Sequence, residues 1–149
     1  MEAKTKFDPK KLAIADYKLT KEQIDEPEEF DVVHVKGHHV ENSFELSFSP
    51  KGKLAKADIT IDIRTESDGK NELEATALFH LIYIFKVENL DELVSENSSK
   101  KVEVDSMLGS SIASIAYSTT RGILLSRLQG KVFQKFILPI INPNDLLVK

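Results

Sequence analysis

The sequence predicts an α+β domain: a four-stranded antiparallel sheet, then a long helix and a short C-terminal helix. Three observations carry this. Apolar and polar residues alternate over several stretches between Leu12 and Glu88, the period of half-buried strands. Turn signals at Pro50-Lys51-Gly52 and Asp68-Gly69 separate successive stretches. After Asp105 the apolar spacing changes to three and four, that of a helix packed on one side.

In chain order, Leu12 to Leu19 is apolar-rich without a clean period and reads as an edge strand. Glu22 to Glu29 is acidic around Pro27 and reads as a loop. From Phe30 to Val40, Val33 and Val35 alternate with polar residues, and Gly37 marks a bend or bulge. Phe44, Leu46 and Phe48 then alternate with Glu45 and Ser47. In the next strand Ala57, Ile59, Ile61 and Ile63 point one way, and Asp58, Thr60, Asp62 and Arg64 the other. This is a half-buried antiparallel strand with a wet outer face.

The return strand, Glu72 to Glu88, has Leu73, Ala75, Ala77, Phe79, Leu81, Tyr83, Phe85 and Val87 on one face. Its other face starts polar with Glu72, Glu74 and Thr76, then turns apolar at Leu78, Ile82 and Ile84. A strand apolar on both faces is covered on both or offers one to a partner. Leu90 to Val94 fits one helical turn, and Ser95 to Lys101 a polar loop.

Asp105 or Ser106 caps the long helix, which runs to about Leu128. Its apolar positions are Leu108, Ile112, Ile115, Thr119 and Ile123. Beside them runs a stripe of small residues, Gly109, Ala113, Ala116 and Thr120. That stripe suits either close contact with a second helix or packing on the chain's own sheet. Serines, threonines and Gly122 give the helix poor intrinsic propensity, so it needs packing to hold it. Gly130 is placed for a left-handed cap. Phe136 to Ile141 is an apolar segment broken by Pro139, and Asn142-Pro143 opens a terminal turn, with Asn142 as N-cap and Pro143 at N1.

The 149 residues fit one domain, 1–149, and 41% apolar content supplies one core. A net charge of −4 with interspersed signs argues against nucleic acid, whose phosphates need a basic field. The absence of cysteine excludes disulfides, thiolate metal sites and cysteine nucleophiles. Met1 to Lys10 is polar with no apolar run behind it, so no signal peptide is expected. Leu81 to Phe85 is too short to span a bilayer. The expected location is cytoplasmic, without membrane insertion.

Catalytic chemistry is sparse. His34, His38 and His39 cluster in sequence, but His34 and His38 lie about 13 Å apart on a strand. A metal site there needs Gly37 to bend the chain and Glu41 as a third ligand; a surface histidine group is the simpler reading. His80 reads as a strand residue with a satisfied ring. There is no glycine-rich phosphate loop and no nucleophile elbow. Ser110-Ser111 would bind an anion at the helix start only against Glu103 and Asp105. Asp58 and Asp62 share a face that reads as solvated. No enzyme, metal or cofactor is expected.

The stretch Ser118 to Leu147, STTRGILLSRLQGKVFQKFILPIINPNDLL, resembles the SecB family of protein-export chaperones and their SecB-like relatives. The marks are the glycine ending a long helix, Gly130, the proline nine residues on, Pro139, with Gln134 between them, and the short helix that follows. Ile123 fits an apolar helix position of the family. Phe133 is displaced by one from the family's aromatic, and the proline after it is missing. Four antiparallel strands before the helix match in architecture.

The resemblance implies an ATP-independent holdase that binds unfolded or partly folded polypeptides in apolar grooves, in protein export or toxin–antitoxin control. It also implies a homo-oligomer, dimer or tetramer, with long helices at the interface. The expected client-binding residues are Leu78, Ile82 and Ile84, with Leu124 and Leu128; the expected interface residues are Gly109, Ala113 and Ala116. Export-dedicated members contact the SecA motor through an acidic sheet face and a C-terminal tail. Here the corresponding strand is apolar and the sequence stops at Lys149, so a SecA role is not expected. The alternative is a small β-rich carrier whose apolar pocket takes a lipid or other small molecule.

Overall fold

The computed structural model describes residues 6–69, 73–96 and 102–147. Strands β1 (Leu12–Asp25), β2 (Val35–Ser49), β3 (Leu54–Ser67) and β4 (Thr76–Val87) form one antiparallel sheet in the order β1-β4-β3-β2. A one-turn helix α1 (Leu90–Leu93) follows, then a two-stranded hairpin of β5 (Val94–Glu96) and β6 (Val102–Val104). The long helix α2 (Ser106–Arg127) covers one face of the sheet, and α3 (Asn144–Leu147) closes the described chain. The predicted fold class is the observed one.

Alternation does the work in the two central strands. Ala55, Ala57, Ile59, Ile61 and Ile63 of β3 and Ala77, Phe79, Leu81, Tyr83, Phe85 and Val87 of β4 are at most 1% exposed. Burial of each large side chain contributes about 1.5–3 kcal/mol, so this face fixes the register of both strands. On α2 the buried residues are Leu108, Gly109, Ile112, Ala113, Ala116, Tyr117, Thr120 and Leu124. Thr120 donates to the Ala116 carbonyl at 2.7 Å, which leaves the Tyr83 hydroxyl to donate to Thr120 Oγ1 at 2.8 Å. This buried polar pair between helix and sheet is thereby satisfied. Asp105 caps α2 by accepting from the Met107 and Leu108 amides.

Several boundaries differ from expectation. The acidic stretch from Glu22 is not all loop: β1 runs to Asp25, because Ile24 pairs opposite Ala77 and Glu22 bonds Arg127 at the end of α2. Phe30 to His34 is not strand. Asp31 accepts from the Val33 amide and caps a 3₁₀ turn over Val32–His34, leaving Val33 80% exposed. The bulge at Gly37 is present, between Val35 and Gly37. Leu73 does not share the buried face; it is 59% exposed, before β4 starts. Glu72 lies outside the described residues, as do 97–101 of the expected polar loop. The ends of that loop are the short β5–β6 hairpin.

Gly130 has φ +71 and turns the chain two residues after the helix cap Leu128, as expected. Beyond it, Phe133, Phe136 and Leu138 point inward while Ile137 and Ile140 point out. Arg121 donates to the Leu138 and Pro139 carbonyls, and the Tyr117 hydroxyl to the Pro139 carbonyl at 2.6 Å. Asn142 accepts from the Asn144 amide at 3.0 Å at the entry to α3.

Candidate functional site

The five residues expected to bind clients do not converge. Leu78, Ile82 and Ile84 are half-buried on the outer face of the sheet. Leu124 and Leu128 are 2% and 1% exposed, on the opposite side, inside the core between helix and sheet. They occupy the stripe of α2 that meets the sheet, so no client reaches them without unfolding the core. Gly109, Ala113 and Ala116 are buried in the same layer. The small-residue stripe is covered by its own chain, with Gly109 beside Val104 and Leu147 and Thr120 bonded to Tyr83 of the sheet.

The apolar hollows lie along β2. Among the described residues this strand is an edge of the sheet, hydrogen-bonded to β3. Towards its C-terminal end Phe44, Leu46 and Phe48 face the helix layer, opposite Ile59, Ala57 and Ala55. With Val102 and Val104 of β6 and Leu146 and Leu147 of α3 they line a groove of 490 Å³. Gly109 lies beside this groove: a Cβ there would stand 3.5 Å from Leu147 and 3.6 Å from Val104, ordinary contact distances. The groove combines apolar walls with a sheet edge, the two elements needed to hold an extended chain.

At the N-terminal end of β2, Val33, Val35, Gly37 and His38 face Gly130 and Val132 across a wider hollow of 840 Å³. Lys36, Lys131, Lys135 and Glu26 stand on its rim and give it a net positive character. The His38 ring lies 6.0 Å from the Phe133 ring and 5.3 Å from the Phe136 ring. Burial among these groups lowers its pKa below the ordinary histidine value; the nearby Glu66 carboxylate pulls the other way.

The other histidines are placed as surface groups. His34 faces Asp31 at 3.9 Å, and His39 faces Glu41 at 3.2 Å. His80 has both ring nitrogens occupied, Nε2 by Asp58 at 3.1 Å and Nδ1 by Thr20 at 2.7 Å. Among the described residues no three histidine or carboxylate side chains come together as a metal site.

The fold has a solved counterpart. The SecB-like chaperone Rv1957 of Mycobacterium tuberculosis, in complex with a ChAD peptide from the Rv1956 HigA1 antitoxin, superposes with a TM-score of 0.61. The match covers 89% of this chain and 91% of that one, at 13% sequence identity. At that identity the likeness establishes the shared fold. No protein-family model and no curated protein sequence matches the chain. No helix among the described residues is long and apolar enough to cross a membrane.

The groove at Phe44, Leu46 and Phe48 was half legible in the sequence. Their strict alternation marks a strand with one apolar face. That this strand is an edge, and that Val104 and Leu147 arrive beside it from distant parts of the chain, is a property of the topology.

Proposed function

We propose that this chain is an ATP-independent holdase, with β2 and its flanking hollows as the seat of the client. The observation that carries this reading is the conjunction at β2. An edge strand of 15 residues runs beside a groove walled by Phe44, Leu46, Phe48, Val104 and Leu147. An unfolded polypeptide exposes unpaired backbone and apolar side chains. Pairing with the edge satisfies the first, and the groove takes alternate side chains of the second. Such recognition reads extended conformation and hydrophobicity, and it needs no fixed sequence. The likeness to a SecB-like chaperone that holds an antitoxin peptide supports the same reading, with antitoxin segments one class of client and exported proteins another. The proposed location is the cytoplasm.

We place self-assembly on the outward face of α2. From Ser106 to Thr120 the helix carries no charged residue, and its outward positions include Ser111, Ser114, Ser118 and Gly122. Depletion of charge is the mark of an interface core. Gly122 meets nothing of its own chain within 4 Å, so its lack of a side chain serves no packing inside the protomer.

The test is light scattering from a slowly refolding client, without nucleotide. Near-stoichiometric chain suppresses the scattering, and Val102→Asp with Leu46→Asp, which charge the groove from its exposed wall and from β2, reduces the suppression several-fold. Unaltered aggregation in the presence of the folded wild-type chain overturns the reading. The 490 Å³ groove also has the size of a small-molecule site, so the alternative of a lipid carrier has one specific observation behind it. A lipid extracted with the purified protein at one equivalent would favour that carrier.

A further inference from the structure

The outer face of the sheet orders its charges in rows. The register puts Asp16, Ile84 and Lys56 at one level and Lys18, Ile82 and Asp58 at the next. Further along come Gln23, Leu78 and Asp62, then Asp25, Thr76 and Arg64. Wherever both flanks of a row are charged, β1 and β3 carry opposite signs. The flanks are two strand spacings apart, about 10 Å, with the β4 side chains between them. Among the described residues the close contacts between charged or titratable side chains on this face are Lys56–Asp58 at 3.7 Å, His80–Asp58 at 3.1 Å and, within β2, His39–Glu41 at 3.2 Å, none of which joins the flanks.

A two-fold axis laid along β4 exchanges the flanks. It sets β1 of one copy over β3 of another at the same level. Asp16 then meets Lys56 of the second copy, Lys18 meets Asp58 and Asp25 meets Arg64, each contact occurring twice, while Leu78, Ile82 and Ile84 meet their own counterparts. We propose that the outer face of the sheet is a self-complementary docking surface for a second copy of this chain, stacked face to face about an axis along β4.

Known sheet geometry permits the contact. Stacked sheets lie about 10 Å apart with strand directions within about 30°. At that angle the flanks are offset by about 3 Å, less than the roughly 7 Å between successive outward residues, so the pairing of signs survives. The overlap of three strands covers about 600 Å² of each copy, near the lower bound for a specific contact. The association is therefore weak and salt-sensitive. His80 brings no unpaired ring nitrogen to it, since Asp58 and Thr20 already occupy both. Lys86 meets its own counterpart, but at the rim, where water screens it. A surface for miscellaneous unfolded chains gains nothing from signs ordered row by row; a partner with the same spacing does.

The absence of cysteine makes the test direct. Ile82→Cys, on the axis, is joined to its counterpart by a bis-maleimide spanning about 10 Å, the sheet-to-sheet distance, at concentrations where Ser43→Cys, on β2 outside the overlap, stays monomeric on a denaturing gel. Lys18→Cys chains mixed with Asp58→Cys chains are joined to each other by the same reagent more readily than either variant to itself, because the axis sets these two positions opposite one another. In sedimentation, Asp25→Arg weakens the association about tenfold, and adding Arg64→Asp restores it. Equal crosslinking of Ile82→Cys and Ser43→Cys, no recovery in the double reversal, or capture of a different polypeptide in place of a second copy overturns the proposal.

Discussion

His38 shows how one side chain can tie stability to pH. Its ring packs against Phe133 and Phe136, and burial holds its pKa down despite Glu66. The unfolded chain then binds the proton more readily than the folded one, so stability is full above the ordinary value of about 6.5 and falls as pH drops through it. Urea unfolding at pH about 7 and about 5 should show wild type losing more stability than His38→Gln. Equal losses would mean that the ring is as well solvated as the exposed His34 and His39. The sequence showed this histidine as one of a cluster of three. What sets it apart is two phenylalanines beyond the long helix, and no local pattern announces them.

At the scale of elements, Gly130 isolates one conformational effect. Its φ is +71, and a Cβ added there meets nothing within 4 Å. Gly130→Ala therefore costs stability through the backbone alone, about 1–2 kcal/mol, read as a lower melting temperature. Unchanged melting would show that the turn tolerates a different path. This cap was legible because glycine at a helix end has one strong physical reason. The orientation of α2 was less so, since the helix offers both a large-residue stripe and a small-residue stripe. The core takes part of both: Leu108 and Ile112 of the first are as buried as Ala113 and Ala116 of the second, while Ile115, Thr119 and Ile123 are only partly covered. Phe79, Leu81, Tyr83 and Phe85 crowd the inner face of the sheet, and Ala113, Ala116 and Thr120 leave room for them. Leu124 and Leu128 follow that stripe into the core. The central strands β3 and β4 were read nearly whole, for their period is strict. β1 was read short because a run of acids resembles a loop until its partners, Arg127 and Ala77, are in place. The three-residue strands β5 and β6 carry too few residues for any period to show.

For the molecule as a whole, the two layers give it two unlike outer surfaces, the charge-free back of α2 and the charge-ordered back of the sheet. If copies meet through both and the axes intersect at right angles, the assembly closes as a tetramer; if the axes do not intersect, it grows as a filament. Ser118→Glu should halve the mass of the assembly in light scattering and leave the melting temperature near wild type. Ala116→Glu should instead lower stability by several kcal/mol, because it buries an unpaired carboxylate. An intact assembly in Ser118→Glu would remove the helix face from the account.

The strand order β1-β4-β3-β2 has a consequence in time. β2, β3 and β4 follow one another as neighbours, and each can zip onto the last as it appears. β1 is the first strand to leave the ribosome, and its partner is the last of the four to be made. At about 5–20 residues per second it waits on the order of several seconds with Leu12, Ile14, Leu19 and Ile24 uncovered. During its own synthesis, this chain passes through the unfinished, sticky condition that we propose it to shelter in others.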